Sequence, residues 1–373
     1  MNQNLAFLET LATTGNAASA TERIGFDIGW DHAHHGLVPP AELLHPGTPI
    51  TQGWTAGKAV YGRRTLSVGR STRQWLALRL VAWRNGWAFD TAQVTPNHLA
   101  QIHTGRCPVR RTPLGGAAGT ADAPCIERLN PPAGYAAGNL ALTSCAAAQA
   151  RAGLNVAGLV RQARAAQSGA TQAVAMAADA WWRLAVLQSF ATPLPFAEAA
   201  ALPLAVMPPN RVRLLNAVQG LQALVTSMFM APGWAGRCRA LGASLPTVAA
   251  RLDFNLFVGA MAPRVIEAAV EGVYLRPALE DAWLNERVLR RWQDFALALG
   301  EAPVEALLQL ADHQRLGGVR TQWHAPEQAI EGWALADSGR QRSRSASTPA
   351  RVAARLSAPG RVHRAALAPP AAC

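Results

Sequence analysis

"CIERLNPPAGYAAGNLALTSCAAAQARAG", residues 125–153, is the stretch on which the reading of this chain turns. It reads as a short β-hairpin followed by a helix. Gly134 and Gly138 supply the backbone freedom a tight turn needs. "CAAAQARAG" is an alanine-arginine run of high helix propensity. The segment just before it, Gly105–Pro124, is rich in Gly, Pro and Thr and is expected to be strand and loop.

Outside this stretch the pattern is helical. Leu76, Leu80, Trp83 and Trp87 recur at one face of a helix expected over 71–87, with Ser71 or Thr72 as its cap. "TPNHLAQIH" offers a cap at Thr95 and a proline at the first helical position. Beyond Gly153, Leu214, Val218, Leu221, Val225 and Met228 share one face, as do Leu284, Val288, Trp292, Phe295 and Leu299. Prolines, among them Pro195, Pro232, Pro246 and Pro263, are expected to punctuate these helices. The Trp181-Trp182 pair reads as core. "FDIGWDHAHHGLVPP" near the start has turn-rich character.

The expected class is therefore mainly α: a multi-helical body with an embedded hairpin-helix module and a disordered basic tail. Four regions follow: 1–95, mixed and helical; 96–153, the module; 154–337, a helical domain; 338–373, the tail. The net charge is +12, and seven of those charges are arginines in 338–373, where there is no acid, leaving +5 for the rest. A Ser/Pro/Ala/Arg tail has too little apolar surface to fold. Five cysteines without a CxxC pair, and a start lacking a basic region before an apolar run, point to a cytoplasmic protein without a secretory leader. The most apolar stretch, Ala173–Leu187, is interrupted by Asp179 and Arg183 and is too short to span a bilayer, so no membrane association is expected.

In order, "CPVRRTPL" (107–114), "CIERLN" (125–130) and "GYAAGNL" (134–140) resemble the HNH endonuclease family. That family's fold is a β-hairpin and helix gripping one divalent metal. The resemblance covers Cys107 to Gly153. It implies phosphodiester cleavage of DNA with Mg²⁺ or Mn²⁺, Glu127 as the metal ligand, and Asn139 bracing the loop. It also places Arg128 where the family has its general base. Arginine stays protonated and cannot be that base, but it can fork onto a scissile phosphate. The second metal ligand of the family falls on Ala148, which ligates nothing. Gln149 is turned about 100° away on the helix. Arg151 is the remaining charged group of that helix, facing outward or towards phosphate. His103 or His98 would have to supply a base from outside.

These departures open two readings: a working nuclease using substitutes, or a non-enzymatic binding or scaffold protein carrying a degenerate module. Arg106, Arg110, Arg111 and Arg151 are the candidate nucleic-acid contacts beside the hairpin. Arg63, Arg64, Arg70, Arg73 and Arg84 extend that footprint upstream. Structural zinc is not expected, since Cys107, Cys125 and Cys145 stand singly. The cluster Asp31, His32, His34, His35 could hold zinc or copper but lacks regular ligand spacing. There is no Walker loop, GxGxxG, GxSxG or HExxH, so those nucleotide-binding and hydrolase classes have no support.

Overall fold

The structure is a computed structural model. It describes residues 19–169, 176–272, 274–314 and 323–335. The disorder expected of 338–373 lies outside the described residues. The chain forms two compact units, Met1–His103 with Gly134–Ala137, and Thr104–Ala133 with Gly138–Cys373. The described residues are mainly helical, with one two-stranded antiparallel sheet.

The first unit is built on α1 (residues 19–34), α2 (Pro49–Tyr61), α3 (Arg70–Asn85) and α4 (Pro96–Gln101). The "FDIGWDHAHH" run is helix, contrary to its turn-rich look. The reason is tertiary. A β-carbon on Gly29 would lie 2.0 Å from the Ile50 carbonyl oxygen, and one on Gly53 would lie 1.9 Å from that of Phe26. Gly29, which reads as part of a turn, instead lets two helix backbones touch, and Gly53 does the same from α2. Ile28, Ile50 and Leu80 form the buried cluster at that crossing, with Leu43 and Trp83 against it.

Helix α3 buries Leu76 and Leu80 as its periodicity indicates. Its cap differs: Gly69 holds that position and no side chain caps the helix. Trp87 lies beyond the left-handed Gly86 that ends α3 and is exposed. Thr95 caps α4, its Oγ1 accepting from the His98 N–H at 3.2 Å, with Pro96 following as expected. Gly134–Ala137 belong to this unit because Tyr135 pairs with the 88–90 backbone: its N–H donates to the Ala88 carbonyl and its carbonyl accepts from Asp90, both at 2.9 Å.

The second unit begins with the hairpin, β1 (Pro124–Arg128) and β2 (Leu140–Ser144), followed directly by α5 (Cys145–Arg151). The register sets Cys125 opposite Thr143 and Glu127 opposite Ala141. The 105–123 segment is loop, with one isolated bridge between Arg106 and Pro113. Then come α6 (Val156–Gln167), α7 (Ala178–Ser189), α8 (Phe196–Ala200), α9 (Ala217–Phe229), α10 (Trp234–Ala243), α11 (Val248–Val270), α12 (Leu275–Ala282), α13 (Glu286–Leu299), α14 (Glu301–Gln314) and α15 (Pro326–Ala329).

Helices α6 and α7 pack together, and α11 packs on α13. Phe254, Phe257, Trp292 and Phe295 of that pair interlock with Trp283, at the end of α12, in tilted and edge-to-face contacts, which is why those positions carry rings. Trp283 Nε1 donates to Thr226 Oγ1 at 2.9 Å. Leu214 and Leu284 lie just outside the helices their periodicity suggested, although Leu214 is fully buried. Pro263 does not end a helix but sits inside α11. It is exposed, as is Gly259 one turn before it, so the carbonyl left without its N–H donor faces water. Trp181 and Trp182 are buried, as core residues should be.

Candidate functional site

The hairpin turn is held by a reciprocal clamp. Asn139, fully buried, accepts from the Asn130 N–H through Oδ1 at 2.7 Å and donates through Nδ2 to the Asn130 carbonyl at 2.9 Å. The Leu129 N–H donates to the Asn139 carbonyl at 2.8 Å. A single amide thereby closes the base of a ten-residue excursion. Gly138 next to it has φ 88°, and a β-carbon there would lie 2.5 Å from Arg213 Cδ.

Strand periodicity puts Cys125 and Glu127 on one face of β1 and Ile126 and Arg128 on the other. On the first face lies α5, capped by Ser144, whose Oγ accepts from the Ala147 N–H at 3.4 Å. Ala148 packs on Ala123, Cys125 and Cys145 in a small apolar cluster. Arg151 is three residues further along the same side of the helix. Its guanidinium reaches Glu127, with Nη2 to Oε2 at 3.1 Å, and Nη1 donates to the Arg128 carbonyl at 2.7 Å. The two side chains are only 14% and 18% exposed. The Cys125 thiol donates to Glu127 Oε1 at 3.6 Å. Burial, reinforced by the Glu127 charge, pushes that thiol up to about 12.

The sequence had Arg151 facing outward or towards phosphate; it turns inward onto the one acid of the 125–153 stretch. Arg128 points along the loop, Nη1 to the Pro131 carbonyl at 3.3 Å. A divalent cation would need at least two oxygen or imidazole donors converging on Glu127. The side chains present do not fit one. The neighbouring helix offers an alanine and a guanidinium, and the guanidinium already meets the carboxylate. Among the described residues no group of three or more His, Cys, Asp or Glu could hold a metal ion.

The 104–113 loop is also built from arginines, and most of them meet acids. Arg110 Nη1 pairs with Asp122 at 2.9 Å. Arg111 pairs with Glu280 at 3.1 Å and Asp281 at 2.7 Å, from a left-handed backbone of φ 58°. Arg183, buried in α7, pairs with the same Asp281 at 3.1 Å and donates to the Val109 carbonyl. This network ties the loop to α7 and α12. Arg106 is exposed, its Nε donating to the Arg111 carbonyl at 3.1 Å. Cys107 Sγ accepts from the N–H groups of Arg110 at 3.4 Å and Ser144 at 3.3 Å, fastening the loop to the end of β2.

The remaining candidates lie in the first unit. His103 is exposed just beyond α4, and partial burial together with the Arg70 charge lowers its pKa. Asp31 pairs with Arg79, whose guanidinium also lies over the Trp75 ring. His32 is buried, its Nδ1 2.7 Å from the Ile28 carbonyl, and His34 stacks on Tyr61 with centroids 4.1 Å apart. Asp31, His32 and His34 thus point to separate partners, and the His35 ring lies 5.5 Å from that of His34. Arg84 pairs with Glu42, whereas Arg63, Arg64, Arg70 and Arg73 are exposed and meet no acid among the described residues.

What the sequence did not reveal is the acid partner of each buried arginine. Glu280 and Asp281 are about 170 residues from Arg111, beyond any local pattern. The Glu127–Arg151 pair had a signal: besides Arg128, these are the only charged residues in 125–153. No family model, curated protein or solved structure matches the chain.

Proposed function

We propose that this chain is a non-enzymatic nucleic-acid-binding protein in which residues 107–153 keep the frame of an HNH-like module without its chemistry. The observation that carries the reading is the Arg151 guanidinium on the Glu127 carboxylate. A metal nuclease needs that carboxylate turned to a divalent ion that neutralises charge and activates water. Here a tethered cation holds it, and Arg128, at the position of the family's base, stays protonated. The frame itself is retained for structure: the Asn139 clamp closes the turn, and the arginine-acid network holds the preceding loop. The test is a plasmid-nicking assay with Mg²⁺ or Mn²⁺, comparing wild type with Glu127→Ala. The expected result is no nicking above background by either protein. Metal-dependent nicking by wild type that Glu127→Ala abolishes would restore the nuclease.

The binding half of the reading rests on the exposed arginines without acid partners, Arg63, Arg64, Arg70 and Arg73, between the end of α2 and the first turn of α3. Those beside the hairpin are mostly spent on acids. Four phosphate contacts give a slope of log affinity against log salt near −3.6 on duplex DNA. Replacing all four by alanine in the full chain should flatten the measured slope by about 3 to 4. An unchanged slope removes this surface from the proposal.

A further inference from the structure

The geometry points to an interface on the long helix α11: we propose that a second copy of this chain docks antiparallel on its outer face. The inference stands apart from the hairpin and from nucleic acid.

Helix α11 is apolar on two sides. Phe254, Phe257, Met261, Val265 and Ala268 face inward and are buried. On an ordinary surface helix the opposite side is polar. Here Leu252, Leu256, Gly259, Pro263, Ile266 and Val270 are all exposed, and they follow one another at alternating spacings of four and three residues. That is the seam of a coiled coil, which keeps one stripe of a helix facing a partner helix along its length. Val248 extends it at the start. The exposures are large: 78% for Val248, 60% for Leu252, 40% for Leu256, 57% for Ile266 and 82% for Val270. These five residues leave on the order of 500–600 Å² bare, and the small positions bring the strip near the about 800 Å² per partner of a standard interface. A monomer ordinarily leaves apolar patches of only a few hundred Å².

The order of sizes along the strip says what covers it. Large residues stand towards both ends, with Gly259 and Pro263 between them. A two-fold interface must be complementary to itself. An antiparallel second α11 sets Leu252 against Val270, Leu256 against Ile266, and Gly259 against Pro263. Each large residue then meets a large one. The space beside Gly259, where a β-carbon would meet nothing within 4 Å, takes the proline ring; a parallel copy would set Pro263 on Pro263. Asn255, exposed one turn before Gly259, is the polar side chain of the strip. It is the donor available to the Gly259 carbonyl once water is excluded, and a polar group at one point of an apolar seam also fixes its register. Charge argues against a membrane as the occupant. Helices that lie on a membrane are rich in Lys and Arg on the polar side. Helix α11 and its cap carry Arg251 and Arg264 against Asp253, Glu267 and Glu271.

The test is sedimentation velocity on the full chain from about 1 to 100 μM, where a micromolar dimer forms and dissociates. Wild type should be dimeric at the upper end. Leu252→Lys/Ile266→Lys, at exposed positions, should weaken the dimer at least about 100-fold while keeping the circular dichroism of wild type. Leu252→Cys/Val270→Cys should give a disulfide-linked dimer on a non-reducing gel after mild oxidation, which wild type and the two single variants should not. Four results overturn the proposal. They are a wild-type monomer at about 100 μM, a dimer that the lysines leave intact, and crosslinking by Leu252→Cys alone, which requires a parallel pair. The fourth is wild-type binding to phosphatidylcholine–phosphatidylserine vesicles that the lysines abolish, which would give the face to a membrane.

Discussion

The Glu127–Arg151 pair can be broken from either side, and the two breaks should not cost the same. Arg151→Met keeps the apolar stem and removes the guanidinium, leaving Glu127, among the described residues, with the Cys125 thiol as its side-chain donor. Removing one member of a fully buried pair costs about 3–5 kcal/mol. Both side chains here keep some access to water, 14% and 18%, so the lower part of that range applies. Arg151 also loses its bond to the Arg128 carbonyl, worth about 1 kcal/mol. We expect a loss of about 2–4 kcal/mol. Glu127→Gln keeps the shape and leaves Arg151 its carbonyl partner, and should cost about 1–2 kcal/mol. The double variant should be less destabilised than the sum by at least about 1 kcal/mol, the coupling expected of residues in contact. Urea denaturation followed by circular dichroism gives these values, and hydrogen exchange of the Ile126 and Leu142 amides localises them to the hairpin. Additive costs to within about 0.5 kcal/mol would refute the pairing. So would stabilisation of wild type by millimolar Mg²⁺ or Mn²⁺ that Glu127→Gln removes, since that would make the carboxylate a cation ligand.

Gly29→Ala should destabilise the chain by at least about 1–3 kcal/mol by urea denaturation, because its β-carbon meets a backbone oxygen that cannot move aside. Gly69→Ala, with open space and ordinary φ, is the control and should change little. Burial holds the His32 pKa below its ordinary value, and that of His35, His103 and His324 likewise. The folded pKa then lies below the unfolded one of about 6.5, so this stability is complete above that pH and is lost as pH falls through it. The urea midpoint should drop between about pH 7.5 and 5.5, and His32→Asn should shrink the drop; a flat wild-type profile would contradict the assignment. Cys125, pushed up to about 12, should resist iodoacetamide at pH 8 in the native chain and react once urea exposes it, as peptide mass spectrometry would show.

The hairpin, its following helix and the all-helical remainder were legible because each rests on local rules: glycine at a turn, alanine in a helix, apolar residues every three or four positions. The failures share one cause. Gly29 and the "WDHAHH" run looked like a turn because glycine propensity is local, whereas the value of Gly29 lies in a contact with α2 some twenty residues away. Pro263 looked like a helix stop because its penalty is local, whereas an exposed position inside α11 lets water meet the freed carbonyl. The Asn139 brace was an expectation of the family resemblance alone; the contacts of its companion Asn130 were not legible, because nothing local distinguishes a loop asparagine that also reaches Ala191.

The same limit governs the chemistry. Ala148 and Arg128 stand where the resemblance implies a second metal ligand and a base, and the resemblance is silent on what the positions do here. Helix geometry supplies the answer. With Ala148 turned into the apolar cluster beneath β1, the residue three positions on must lie over the same strand. A long cation at that point, beside the one carboxylate of the strand, can satisfy itself only by folding back onto it. The small residue and the ion pair are therefore linked: alanine at 148 lets α5 settle against Cys125, and that settling brings Arg151 within reach of Glu127. A ligand placed at 148 alone would not make a metal site, because Arg151 would still compete for the carboxylate. Ala148→Asn with Arg151→Ala is the smallest change that could free it.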